Sequence, residues 1–258
     1  EYGVDYLDTA NVYGDAEKRI GEFFELTKQF KLITKTAHTR VSFNSKENIN
    51  LINDELEVSL SKMKRDSVDV LLVHNAKEIL SIDGSEIFQS LIGIKKSGLA
   101  KKIGVSVYNL EELRQVNEKY SVDVIQFPLN VFNQSFCESR ILNELNIQGV
   151  ELHARSVFLQ GILLMDTGSL DNYFDSIKNV HSSYQEVLFQ KKLSLVEGAL
   201  NFIKQVDELD AVIFGVQNSK QLIEIIDALE SKLTDVNYKN FIINDESITD
   251  PSRWFDQK

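Results

Sequence analysis

The chain has 258 residues, 43% of them hydrophobic and 26% charged, enough apolar material for a sizeable core, which excludes disordered and fibrous classes. Its net charge of -11 argues against nonspecific binding to nucleic acid or to an anionic membrane, because polyanions are repelled. Cys137 is the single cysteine, so no intramolecular disulfide forms and a reducing, cytoplasmic setting is expected; no apolar run approaches the roughly 20 residues of a membrane helix.

Short β-branched runs alternate with longer amphipathic segments. Val4 to Leu7 reads as a strand, followed by a helix near Ala16 to Leu26. Lys31 to Thr34 is the next strand, and Ser45 to Met63 a long helix whose Ile49, Ile52, Leu56 and Leu60 recur at helical spacing. Val68 to Val73 is almost continuously apolar, as a strand covered on both faces requires. A helix at Ser85 to Ser97, a strand at Lys102 to Val105 and a helix at Leu110 to Glu118 follow. Val122 to Gln126 and Val150 to His153 read as strands flanking a short helix from Glu138 to Leu145. A long helix from Tyr184 to Val206, a strand from Ala211 to Phe214 and a helix from Lys220 to Leu229 complete the pattern. A polar tail of little pattern runs from about 231 to Lys258, and the whole, 1–258, reads as a single domain.

Alternating β and α with apolar strands predicts an α/β protein with a parallel sheet. Seven strands suit either a doubly wound sheet or a (β/α)8 TIM-type barrel. No GxGxxG or GxxxxGK[ST] motif occurs, whereas Asp8, Lys35, His74, Ser106, Gln126 and Arg155 each sit at or beside a strand's C-terminal end. In a barrel those ends converge on the catalytic face, so the barrel is preferred. The segment Leu159 to Ser183 reads as a long loop at that face, able to cover a ligand.

Asp8 and Tyr13 place a carboxylate and a phenol after the first strand, and Lys35 closes the second. A lysine inside a barrel needs a counter-charge, and Asp8 is the natural partner. Two readings stand: a structural ion pair, or an ammonium that stabilises a neighbouring phenolate. His74 alone reads equally as a structural histidine. Together the four make an acid able to protonate a carbonyl oxygen.

These segments are similar to the aldo-keto reductase family. The resemblance is carried by Gly3 to Ala10 with Tyr13-Gly14, by Ile33-Thr34-Lys35, by Asp69 to His74 and by Ile103 to Ser106, and runs from Glu1 to about Leu229. It implies that Tyr13 is a general acid, that Lys35 favours its ionisation, that Asp8 partners Lys35 and that His74 orients the carbonyl. It also implies NADP (or NAD) as cofactor, its reduced form giving a hydride to a small-molecule aldehyde or ketone. Ser106 and Gln126 match positions that hold the nicotinamide carboxamide, although the Asn often found after the serine is Val107 here. Arg155, Ser156 and Phe158 fall where the family stacks an aromatic on the nicotinamide, Arg155 replacing the ring or acting as a phosphate or substrate clamp. Gly215, Gln217, Ser219, Gln221 and Glu224 fall in the adenosine-phosphate segment at a helix start, with Gln221 where many members carry an Arg for the 2′-phosphate.

The resemblance further implies that the family's first strand and helix precede Glu1, so a barrel lacking that unit is expected, with correspondingly doubtful turnover. His38, His153 and His181 show no ligand spacing, and no metal site is expected. Phe127, Phe132 and Phe136 suit either a substrate pocket or core packing, Cys137 is a packing residue, and Lys95, Lys96, Lys101 and Lys102 form a solvated basic strip. Segments 127–134 and 155–165 resemble a bacterial branch associated with sugar-nucleotide or surface-polysaccharide chemistry, which suggests a sugar-like carbonyl. Two alternatives remain at this point: a Schiff-base aldolase using Lys35, and a nucleotide-binding barrel without turnover. No nucleic-acid or membrane partner is expected; substrate and oligomeric state are open.

Overall fold

Residues 3–137 and 140–254 are described in a computed structural model of the chain. Seven strands follow one another in chain order: β1 (Tyr6–Asp8), β2 (Lys31–Lys35), β3 (Val68–Val73), β4 (Ala100–Ser106), β5 (Val124–Pro128), β6 (Glu151–Arg155) and β7 (Ala211–Val212). The helices are α1 (Ala16–Glu22), α2 (Phe24–Thr27), α3 (Ser45–Met63), α4 (Ala76–Leu80), α5 (Gly84–Ser97), α6 (Leu110–Lys119), α7 (Ile141–Ile147), α8 (Lys178–Lys191), α9 (Leu195–Ile203), α10 (Ser219–Glu230) and α11 (Glu246–Thr249). The α/β class with a parallel, seven-stranded sheet is therefore observed. Two compact units divide the residues: a first of 1–126 with 147–151, and a second of 127–146 with 152–258.

In the first unit, α3 starts where Asn44 and Glu47 form a capping box, buries Ile52, Leu56, Leu60 and Met63, and stops where Lys64 turns left-handed (φ 55°). Gly98 ends α5 in the same way, at φ 83°. Every residue of β3 except Asp69 is buried, so this strand is covered on both faces. Gly104 sits where β4 passes so close to β5 that a Cβ would lie 2.2 Å from the Val124 carbonyl oxygen.

One device recurs at the N-terminal rim of the strands. Asp69 accepts a hydrogen bond from Leu32 N (2.8 Å) and Asp123 from Ile103 N (2.9 Å); in the second unit Asp210 accepts from Leu152 N (2.8 Å). Each carboxylate satisfies an early backbone N–H of the neighbouring strand. The lysines read as a solvated strip meet carboxylates at this rim: Lys101 pairs with Asp69, Lys95 with Asp123 and Lys102 with Glu151.

The second unit departs most from the sequence pattern. The single helix expected from Tyr184 to Val206 is two, because Lys192 adopts φ 57° and Ser194 caps a new start with Glu197. The expected loop from Leu159 to Ser183 contains 3-10 turns and the first residues of α8. The last strand covers only Ala211–Val212. Beyond Glu230 the chain is packed, burying Val236, Tyr238, Phe241 and Ile248, none of them periodic enough to stand out in sequence. The expected helix start at Glu138 lies outside the described residues; α7 begins at Ile141.

Candidate active site

Parallel pairing puts the C-terminal ends of β1 to β4, with Gln126 of β5 beside them, on one rim of the first unit. Asp8 ends β1, Lys35 ends β2, His74 follows β3, Ser106 ends β4 and Gln126 lies in β5. Tyr13 stands in the turn after β1, where its backbone N–H donates to Ala10 O (3.0 Å) and the residue is 47% exposed.

Lys35 is 4% exposed, and its Nζ donates to Asp8 Oδ1 at 2.6 Å and to Thr9 O at 3.0 Å. The same ammonium lies 4.9 Å from the centroid of the Tyr13 ring. Edge-on to that ring, with centroids 6.0 Å apart, is His74. The backbone N–H of His74 donates to Thr36 Oγ1 (3.3 Å), tying it to the end of β2. The structure thus brings Asp8, Tyr13, Lys35 and His74 together. Gln126 joins them: its Nε2 donates to Asp8 Oδ2 at 2.8 Å, so both carboxylate oxygens are engaged. This link, across 118 residues of sequence, has no local signal.

Ser106 is 2% exposed and its Oγ has no hydrogen-bond partner among the described residues. A buried hydroxyl in that state is costly unless something completes it. Val107, fully buried, offers only its backbone N–H, which donates to Gln126 O (2.9 Å).

The remaining sequence candidates lie in the second unit. Arg155 ends β6, and its Nη1 donates to Ser156 Oγ (3.3 Å) while its carbonyl accepts from Leu129 N (3.0 Å). Ser156 holds φ 59°, and Leu159, Gln160 and Gly161 are also left-handed, so the chain turns sharply around the half-buried Phe158. Gly215, Gln217, Ser219, Gln221 and Glu224 are all exposed around the start of α10. There Asn218 caps Gln221 N (3.0 Å) and Gln221 Oε1 accepts from Gln217 N (2.8 Å). A groove of about 370 Å³ beside this helix is lined by Ser194, Glu197, Lys220, Ile223, Glu224, Asp227 and Ala228. Its charged lining residues are three carboxylates and one lysine, and Gln221, outside the groove, is uncharged.

Phe127, Phe132 and Phe136 are fully buried: Phe127 packs on Phe136 (4.8 Å) and Phe132 on His181 and Tyr184, placing them in the core. His153 is buried within β6. No group of three or more metal-ligating side chains occurs among the described residues, nor any helix long and apolar enough to cross a membrane. The sequence reading missed His38 and Glu78. His38 stacks on His74 with centroids 4.3 Å apart, and its Nδ1 donates to Glu78 Oε1 at 2.8 Å. Glu78 sits on α4, a five-residue helix too short for periodicity to reveal.

A family model described as the aldo/keto reductase family matches residues 1–242. The chain belongs to the aldo/keto reductase family. Membership implies NAD(P)H-dependent carbonyl reduction on small-molecule substrates. Among curated aldo/keto reductases it is similar to the L-glyceraldehyde 3-phosphate reductase of Escherichia coli K12, 23% identical over 90% of this chain and 76% of the relative. It is also similar to the NADPH-dependent alpha-keto amide reductase of Saccharomyces cerevisiae, 26% identical over 53% of this chain and 46% of the relative, so the match spans about half the yeast protein's length. The holo form of an aldo-keto reductase from Bacillus halodurans superposes with a TM-score of 0.72 at 17% identity, covering 93% of this chain and 81% of that one. That likeness shows the TIM-barrel-type fold.

Proposed function

We propose that this aldo/keto reductase reduces an aldehyde or ketone with Tyr13 as the general acid, Lys35 and Asp8 as its charge partners and His74 as the group that holds the carbonyl. The observation that carries the reading is the buried Lys35 ammonium, bound to Asp8 at 2.6 Å and lying 4.9 Å from the Tyr13 ring centroid. As the phenol gives its proton to the carbonyl oxygen, negative charge grows on Tyr13, and a cation already in place requires no reorganisation to meet it. Asp8, fixed on its other oxygen by Gln126, holds that cation still. His74, edge-on to Tyr13, is the residue proposed to orient the substrate carbonyl. The half-exposed Tyr13 leaves the site open to a small carbonyl compound, the class to which glyceraldehyde 3-phosphate and keto amides belong.

A nicotinamide cofactor fits the residues of the first unit. Ser106 Oγ is a buried donor and acceptor awaiting a partner, and Gln126, with its NH₂ on Asp8, keeps its side-chain oxygen as an acceptor. A carboxamide offers both complements. When bound, the reduced nicotinamide supplies the hydride. Within the second unit, Arg155, Ser156, Phe158 and the α10 segment are also proposed as cofactor-binding residues, and the uncharged Gln221 adds no cation for a 2′-phosphate there.

The aldolase alternative is disfavoured because Lys35 spends two donors on Asp8 and Thr9, unlike a nucleophilic amine in an apolar pocket. The test is turnover of NADH and NADPH on an aldehyde, ketone and sugar panel, with fluorescence titration of both dinucleotides. Tyr13→Phe is expected to lose roughly 10²–10⁴-fold in kcat with cofactor affinity within a few-fold. A Tyr13→Phe protein with near-normal turnover would remove Tyr13 from the acid role.

A further inference from the structure

The end of β2 is held from both faces of the sheet. Asp8 is the register partner of Ile33, so Asp8, Ile33 and Lys35 share one face, while Leu32 and Thr34 share the other. On the first face the Lys35 ammonium meets Asp8 and the Tyr13 ring. On the other, Thr34 Oγ1 donates to Glu17 Oε1 at 2.9 Å. Glu17 stands in the first turn of α1 and is 2% exposed. Its Oε2 has no hydrogen-bond partner among the described residues and lies 4.0 Å from the Lys62 ammonium of α3. Burying a carboxylate with one oxygen unbonded is costly, and neither the four-residue site nor the cofactor residues use it. The segment that leads into Glu17 carries Tyr13. Ala16 N, at the start of α1, donates to Tyr13 O at 3.1 Å, and Tyr13 N closes the turn on Ala10 O. Asp15, at the N-cap of α1, makes no side-chain cap hydrogen bond, and Gly14 before it is left-handed (φ 55°). Tyr13 itself is half exposed, so packing restrains it little.

We propose that Glu17 is a positioning residue for Tyr13: by accepting from Thr34, the neighbour of Lys35, it fixes the start of α1 on β2 and so holds the phenol at its distance from the ammonium. Two adjacent residues of one strand then set both partners of the proton step. Lys35 supplies the cation, and Thr34 holds the helix that follows the phenol. α1 has a second seat further on, where a Cβ at Gly21 would lie 1.9 Å from Lys62 O, so that backbone is pressed on backbone. With the helix seated there and bonded at Glu17, the turn from Gly14 to Ala16 has little freedom to carry Tyr13 away from Lys35. The role belongs to the acceptor oxygen rather than to the charge. A carboxylate in the first turn of a helix also meets the helix dipole, but charge and hydrogen bond separate on substitution. The inference rests on the reading of Tyr13 as the acid for its consequence, though not for all of its test.

The test compares three variants with the wild type. Glu17→Gln keeps an oxygen for Thr34 and removes the charge. Thr34→Val removes the hydrogen bond by exchanging a hydroxyl for a methyl. Glu17→Leu/Thr34→Val replaces both partners by apolar groups of similar size and strands neither, so its urea midpoint is expected at or above the wild-type value. In Glu17→Gln, kcat and the carbonyl KM are expected within about two-fold of wild type. In Thr34→Val and in the double variant kcat is expected to fall roughly 10-fold with KM within about two-fold, as a displaced acid in a folded protein requires. A second readout needs no turnover: tyrosine labelled with carbon-13 at Cζ, with the Tyr13 signal assigned by Tyr13→Phe, at neutral pH. That signal is expected to superimpose on wild type in Glu17→Gln and to be displaced or broadened in the double variant. An unmoved signal with unchanged kcat in the double variant would overturn the proposal. So would a loss in Glu17→Gln as large as the double variant's, which would assign the effect to charge. An inactive wild type whose Tyr13 signal moves in the double variant sinks the acid reading and supports the tether; an active wild type with unmoved signals and equal kcat does the reverse.

Discussion

The two compact units bury polar side chains for different ends. In the first, Asp8, Lys35 and Gln126 satisfy one another at the ends of strands, with Tyr13 and His74 grouped around them and Ser106 Oγ still without a partner among the described residues. In the second, buried polar groups are spent on the backbone of long connections. His181 Nε2 donates to Ile162 O (2.9 Å) and Gln134 Nε2 to Tyr238 O (2.8 Å); Asn201 exchanges hydrogen bonds with the main chain of Thr234. Polar groups that hold loops are complete in themselves, whereas those at the strand ends leave capacity for a ligand.

Two lysines break the comparison most sharply if it is wrong. Lys35 neutralises a buried carboxylate; Lys204, in the second unit, donates only to Ala228 O (3.0 Å) and to Ser231 O (2.8 Å) and Oγ. Burial lowers the Lys204 ammonium from its usual value against the opposing pull of Glu197, and among the described residues its hydrogen bonds go to carbonyl and hydroxyl oxygens. Lys35→Met is expected to cost about 3–5 kcal/mol by stranding Asp8 and about 10²–10³-fold in kcat. Lys204→Met is expected to cost about 1 kcal/mol with kcat unchanged. Urea denaturation and steady-state kinetics on both variants decide it; equal effects on turnover would erase the distinction.

Two glycines sharpen it next. At Gly104 a Cβ meets backbone, Val124 O at 2.2 Å, and β4 has nowhere to move. At Gly198 in α9 the obstacles are side-chain ends, Leu188 Cδ1 at 2.3 Å and Tyr184 Oη at 2.8 Å. Gly104→Ala is expected to lose about 3 kcal/mol. Gly198→Ala is expected to lose about 1 kcal/mol or less, because better helix propensity offsets the crowding. Thermal melting of both gives the order, and the reverse order would mean that the strands separate more readily than the helices repack.

What was legible in sequence follows the same division. The boundaries of α3 and β3 could be read directly, because the stripe of Ile49, Ile52, Leu56 and Leu60 and a doubly covered strand leave strong local patterns. Asp8, Tyr13, Lys35 and His74 stood out because each sits where a parallel sheet must bring its strand ends together. The break between α8 and α9 was missed, since it depends on one lysine in a left-handed conformation, which carries no composition signal. The packing of Tyr238 and Phe241 was missed too, because their partners in α8 and α9 lie far away in the chain. His38 was visible only as a histidine without ligand spacing; its significance is its stacking on His74, which no spacing rule contains.

The two units also answer pH in opposite senses. Burial holds the His181 imidazole below its usual 6.5, although its Ile162 hydrogen bond and Asp166 oppose the shift. Its folded form is neutral, so its contribution is fully present above 6.5 and is lost as pH falls through the lower folded value. Glu78 in the first unit is raised above 4.5, so its contribution is present below 4.5 and lost as pH rises through the raised value. Denaturant midpoints measured from pH 7 downward are expected to fall below about 6.5, and His181→Gln is expected to flatten that fall. An unchanged slope in His181→Gln would assign the acid sensitivity to other groups.

The smallest effect concerns a hydroxyl that belongs to neither pattern. Tyr184 is fully buried in the second unit, its ring edge-on to Phe241 at 5.4 Å and to Phe132 at 6.1 Å, yet its Oη has no hydrogen-bond partner among the described residues. Burial, with Tyr238 nearby, pushes its phenol well above the usual 10.0. An apolar ring of the same shape relieves the desolvation penalty and keeps the packing, so Tyr184→Phe is expected to be neutral or stabilising by up to about 1 kcal/mol. Tyr184→Ala, which removes the ring, is expected to cost about 3–5 kcal/mol. If Tyr184→Phe instead loses 2 kcal/mol or more, roughly the cost of stranding a partner, the hydroxyl satisfies a group that this packing leaves unseen. The second unit would then hold a polar site of its own, and the contrast with the first would narrow to the strand-end charges alone.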